Sequence, residues 1–186
     1  MPAALVAAGL LSWMWSTAAF TAQTRSVGNS WDTGTVTLTD DDQGVAGFSV
    51  SRALPGSTGT RCITVTSKSS VPGVVKVYVA RLGADGLENN IKISAEIGTG
   101  GSFSDCTGFV PDAPANPARS LKELSVAASG YSTGLLPWST SGNSNGETKN
   151  YRITWAFDTT GLSQTDIDAL QGKSTSADVI WELQTP

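Results

Sequence analysis

The chain has no histidine, only two cysteines, and only 15% charged residues in 186 positions. Each shortage excludes something. Without histidine, the commonest protein metal ligand and the commonest general base near neutral pH are lost together. A zinc protease of the HExxH kind has no residues to stand on. Serine catalysis would need another base, and no Ser-Lys pair is marked among the many serines. The aspartates and glutamates are scattered, with no pair singled out by spacing. The expectation is a protein without catalysis. The net charge of −4 and pI near 4.7 supply no basic face for nucleic acid or for an anionic membrane surface.

The two cysteines, Cys62 and Cys106, form no CxxC motif. In an exported protein an even pair reads as one disulfide; two buried free thiols are the alternative. Apolar runs are also scarce. The one long run, residues 1–19, carries no charge, is short for a membrane span of ~20 residues, and ends in the small residues Ser16-Thr17-Ala18-Ala19. It reads as an export signal, with a buried helix as the alternative. Signals usually begin with basic residues, whereas the first positive charge here is Arg25. This points to a misplaced start rather than against export. Cleavage by signal peptidase would release a secreted or cell-surface protein, with no membrane anchor expected after it.

What the chain has in quantity is two-residue alternation. It recurs in Thr35-Val36-Thr37-Leu38-Thr39, Ala46-Gly47-Phe48-Ser49-Val50 and Cys62-Ile63-Thr64-Val65-Thr66. It continues from Val75 to Arg81, from Ile91 to Ile97, from Tyr151 to Phe157 and from Ser176 to Gln184. On these strands Val75, Val77 and Val79 share one face, as do Tyr151, Ile153, Trp155 and Phe157. Gly, Pro, Asn and Ser separate the runs. Leu54-Pro55-Gly56-Ser57 suits a type II turn, Ser141 to Gly146 another turn, and Asp112 to Pro117 a surface loop. One short helix is expected near 163–171, with Ser163 as cap, Asp166 three residues on, and Gly172 at its end. About eight alternating strands predict an all-β, antiparallel two-sheet sandwich of jelly-roll type. Residues 20–186 would form that single domain.

Several of these segments, in order, resemble the TasA/camelysin family of exported bacterial matrix proteins. The likeness starts with a signal ending before Ala19-Phe20. It runs through Ser30-Trp31-Asp32-Thr33-Gly34-Thr35-Val36-Thr37-Leu38, where the family has a turn and a Ser/Thr-Gly-Thr-aliphatic strand. It continues in Leu54-Pro55-Gly56, in Gln171-Gly172-Lys173-Ser174, and in Trp181-Glu182-Leu183-Gln184. Ser57 stands where the family usually has an acid, the basic signal start is missing, and the cysteine pair looks like a subgroup feature. The resemblance implies a jelly-roll subunit of an extracellular, biofilm-matrix fibre. In such fibres the freed N-terminal segment inserts into the next subunit as a missing strand.

The residues suit that role. Phe20, Thr21, Ala22, Gln23, Thr24, Arg25, Ser26 and Val27 are strand-competent and lack proline, and Phe20 offers an apolar anchor. Residues 20–31 are thus the expected donor strand, and the partner is a second copy in a head-to-tail polymer that does not close. Pairing of residues 20–31 with their own domain is the alternative.

Two binding readings stand beside it. The acidic run Asp40, Asp41, Asp42 is a weak calcium candidate through oxygen ligands, but it lacks the spacing of an EF-hand loop and reads better as a solvated turn; no cofactor is expected. Tyr131, Trp138 and Trp155 are a candidate sugar-binding surface, which would make the chain a monomeric adhesin or carbohydrate-binding module; a place in the core is the plainer reading.

Overall fold

Four apolar side chains spaced two apart, Tyr151, Ile153, Trp155 and Phe157, lie on one face of a strand and are all buried. That strand is the centre of the larger of two antiparallel sheets. The computed structural model describes residues 35–43, 46–48 and 52–186. Nine strands run through them: β1 (Val36–Asp40), β2 (Thr58–Ser69), β3 (Gly73–Asp85), β4 (Ile91–Thr99), β5 (Val110–Pro111), β6 (Arg119–Ser120), β7 (Leu135–Thr140), β8 (Glu147–Phe157) and β9 (Ser174–Gln184). The larger sheet has the order β1-β2-β8-β4-β5, with β6 also on β4; the smaller has the order β7-β3-β9.

This is the expected all-β sandwich. Successive long strands change sheet. The consecutive strands β2 and β3 pair with β8 and β7 respectively, so one long hairpin is wrapped over both sheets, as in a jelly roll. Ile63 and Val65 of β2, Val75 and Val77 of β3, Trp138 of β7, and Tyr151 and Ile153 of β8 form the core between the sheets. Each such side chain contributes about 1.5–3 kcal/mol relative to exposure.

The turn at Leu54 is as expected. Ser57 N–H donates to Leu54 O at 2.8 Å, and Gly56 has φ +81°, the value a type II turn asks of its third residue. The expected helix is α2 (Gln164–Ala169), with the Ser163/Asp166 capping box formed in both directions. A second helix, α1 (Leu121–Ala127), was not anticipated, although Ser120 and Glu123 make the same box. The expected strand from Ala46 is not formed at Ala46–Phe48; its remaining residues, 49 and 50, lie outside the described ones.

Two places show how sequence details hold this frame. Gly98 on β4 faces β5, and a methyl group there would meet Phe109 Cζ at 2.9 Å and Pro111 Cα at 2.9 Å. Gly98→Ala is expected to cost about 1–3 kcal/mol, read as a lower urea midpoint at unchanged slope. Glu147, at the start of β8, gathers the loop before it. Its carboxylate accepts from Ser141 N–H at 2.8 Å, Gly142 N–H at 3.2 Å and Asn143 N–H at 3.4 Å. Burial pushes its pKa up, but these backbone donors together win and hold it below the ordinary value. Glu123 and Asp158 are also held low, by Ser120 N–H and by the Thr160 side chain and N–H.

Carboxyls with a depressed folded pKa bind fewer protons folded than unfolded. Their stabilisation is present above the unfolded value, about 4, and is lost as pH falls through the folded one. Asp40 has the opposite sign: burial, and then its hydrogen bond with Asp42, raise its pKa, so protonation there favours the fold. With Asp105, also held low by the Thr107 N–H, four groups against one predict a melting temperature that falls below about pH 4, with a smaller fall in Glu147→Ala; equal acid sensitivity of the two would remove Glu147 from the account.

Candidate functional site

A sandwich built for assembly needs a sheet edge able to take another strand, since unpaired N–H and C=O groups along an edge are a template for pairing. Three of the four edges are blunted. β1 is only five residues long. The outer side of β4 is covered: β6 pairs with Lys92 and Ile93, β5 with Gly98 and Thr99, and between them Asn116 N–H bonds Ala95 O at 3.1 Å and Asp112 N–H bonds Ile97 O at 2.9 Å. The loop expected at 112–117 is thus an edge cover. β7 has six residues and holds Pro137, which cannot donate to a ladder.

The fourth edge is different. β9 has eleven residues and no proline, and pairs with β3 from Val74↔Gln184 to Asp85↔Ser174. Among the described residues no strand lies on its other side. None of its residues is buried, whereas β8, of equal length, buries five. Its charges are partnered locally: Arg81 lies 3.1 Å from Asp178, and Tyr78 Oη donates to Glu182 at 2.9 Å, a bond that raises the Tyr78 pKa.

Beside β9 the two sheets part over a cleft of about 1220 Å³, lined on the β9 side by Val179 and Trp181, on the α2 side by Ile167 and Leu170, and on the larger sheet by Ile93 and Trp155. An eleven-residue strand is about 36 Å long. The expected donor segment with Phe20, Thr21, Ala22, Gln23, Thr24, Arg25, Ser26 and Val27 lies outside the described residues.

The remaining candidates are placed as follows. Cys62 and Cys106 form a disulfide. Asp41 spends its carboxylate on two backbone donors, Thr64 N–H at 2.8 Å and Phe103 N–H at 2.9 Å. Among the described residues no group of three or more His, Cys, Asp or Glu is arranged to hold a metal; Asp40 ends β1, and Asp41 and Asp42 form the bend after it. Trp138 and Trp155 are buried core residues, and Tyr131 bonds Val74 O through its hydroxyl at 2.8 Å. These three do not make an open aromatic platform. No described helix is long and apolar enough to cross a membrane.

No family model and no curated protein matches the chain. The β9 edge was not legible in the sequence, because which strand ends a sheet depends on pairings between segments far apart.

Proposed function

We propose that the chain is a non-catalytic structural subunit of an extracellular fibre of the cell surface or biofilm matrix, assembled by donor-strand complementation. The observation that carries this reading is the long, proline-free β9 edge beside an apolar cleft, in a sandwich whose other edges are short, covered or interrupted. Residues 20–31 of one copy add to the β9 edge of the next, with Phe20 in the cleft. The contact joins two different surfaces, so it propagates into a filament instead of closing. Export fits the disulfide, which persists in oxidising compartments, and removal of residues 1–19 frees the donor.

The test is negative-stain microscopy of protein beginning at Phe20, beside the same protein with a folded tag fused to that end. Filaments from the free N-terminus alone support the reading; single particles from both overturn it.

A further inference from the structure

The wall that β9 gives to the large cleft is uneven along its length. It runs from Ser174 to Trp181, eight positions, and the last three residues of β9 lie beyond it. One end, Val179-Ile180-Trp181, is large and apolar, and Val179 is 39% exposed, so apolar surface is left there for a partner to cover. The other end, Ser174-Thr175-Ser176-Ala177, is small and mostly hydroxylated, and is bordered by the exposed Gln171 and Lys173. Strand residues alternate between faces. Trp181 and Leu183 pack against the core, opposite Val77 and Val75 of β3. The odd-numbered positions of β9 therefore face inward, and the even-numbered ones, Ser176 and Asp178 among them, face out. Burial agrees: Thr175 and Ala177 are half-buried, whereas Ser174, Ser176 and Asp178 are exposed.

The segment 20–27 has the same length and the same grading. It spans eight residues before Gly28, with Phe20 at one end and Thr24-Arg25-Ser26 towards the other. With Phe20 facing inward, only an antiparallel pairing matches the two gradients. Phe20 then lies opposite Trp181, Ala22 opposite Val179, Thr24 opposite Ala177 and Ser26 opposite Thr175. A parallel pairing over the same span puts Phe20 opposite Thr175, at the hydroxylated end, and leaves Ser26 to cover Trp181. That arrangement forfeits the apolar burial on both counts. Charge agrees with this occupant. β9 carries two acids and no base, so a second β9 would bring like charges to the edge, which oppose pairing. Residues 20–27 carry Arg25 and no acid.

Resting on the donor-strand reading above, we propose that residues 20–27 of one copy run antiparallel to β9 of the next, with Phe20 opposite Trp181 and Arg25 opposite Ser176. The graded wall selects both the occupant and its direction, and every subunit enters the filament in one polarity.

The test is cysteine crosslinking between copies of the chain beginning at Phe20. Ser176→Cys is mixed with either Arg25→Cys or Thr21→Cys, the mixtures are left to assemble, and the filaments are mildly oxidised. Opposed residues of an antiparallel pair lie about 4.5–5.5 Å apart, within the span of a disulfide. Four residues further along the strand the distance grows by about 13 Å. Arg25→Cys with Ser176→Cys is expected to give a crosslinked dimer, and Thr21→Cys with Ser176→Cys to stay at the background of the unmixed variants. The reverse pattern means a parallel strand and overturns the proposal while leaving donor-strand assembly standing. Filaments with neither crosslink overturn β9 as the acceptor. A crosslinked dimer of Ser176→Cys alone means that two β9 edges pair, which also overturns it. Absence of filaments from the parent chain takes down the fibre reading, and this register with it.

Discussion

A chain lacking residues 20–30 is expected to fold normally and to remain monomeric, where the chain beginning at Phe20 forms filaments. Every strand pairing described begins at Val36 or later, so the deletion removes none of them and the melting temperature should hold. Assembly is another matter. Fixing each residue's backbone costs roughly 1–2 kcal/mol, and each main-chain hydrogen bond returns only about 0.5–1.5 kcal/mol net. Eleven residues laid along β9 would therefore barely break even on hydrogen bonds. Apolar anchors must supply the surplus, and Phe20 is the largest apolar side chain among residues 20–27. Phe20→Ser is accordingly expected to raise the critical concentration on the order of a hundredfold, the equivalent of about 3 kcal/mol, without change in the fold. Sedimentation and negative-stain microscopy read both variants. Normal filaments from the deletion would refute donor-strand assembly.

Loss of the disulfide is expected to be the largest single blow to stability. Cys62 is fully buried on β2, and Cys106, 44 positions on, belongs to the loop that follows β4. Closing a loop of this length in the unfolded chain is worth about 4 kcal/mol on chain-entropy grounds. The double variant Cys62→Ala/Cys106→Ala should then melt roughly 8–16 °C lower, at the 2–4 °C per kcal/mol usual for this size. Polar contacts also tie the loop down. Arg61 donates to Phe103 O at 3.2 Å, Asn150 to Gly101 O at 3.0 Å, and Asp41 accepts Phe103 N–H. If calorimetry finds less than about 1 kcal/mol lost, these contacts hold the loop and the chain-entropy account fails here.

The strands that alternate cleanly were legible, because an inward face of Val75 and Val77, or of Tyr151, Ile153 and Trp155, is a local property of the chain. So was α2, whose Ser163/Asp166 box and Gly172 are local signals. β7 was hidden by Pro137, which argues against a strand. Only its place at the edge of the smaller sheet, with Leu136 in a left-handed conformation, lets proline stand there. α1 carries a readable signal, Ser120 with Glu123 three residues on, but it is short and follows the proline-bearing loop at 112–117. The Trp138 and Trp155 rings could have been a surface or a core by spacing alone, and the packing of β7 and β8 against β3 and β4 made them core.

Alternation and punctuation by themselves determined that this protein is an antiparallel β sandwich, since side chains that alternate in polarity can satisfy both faces only in half-buried strands. The cysteine pair and the missing histidine set its crosslink and removed the usual catalytic base. Tertiary structure alone decided which strand lies at an edge and which edge, among the described residues, is long and has no strand beside it. Those properties arise where segments as distant as β3 and β9, or Tyr151 and Trp181, meet, and no local pattern encodes who a strand's second neighbour will be.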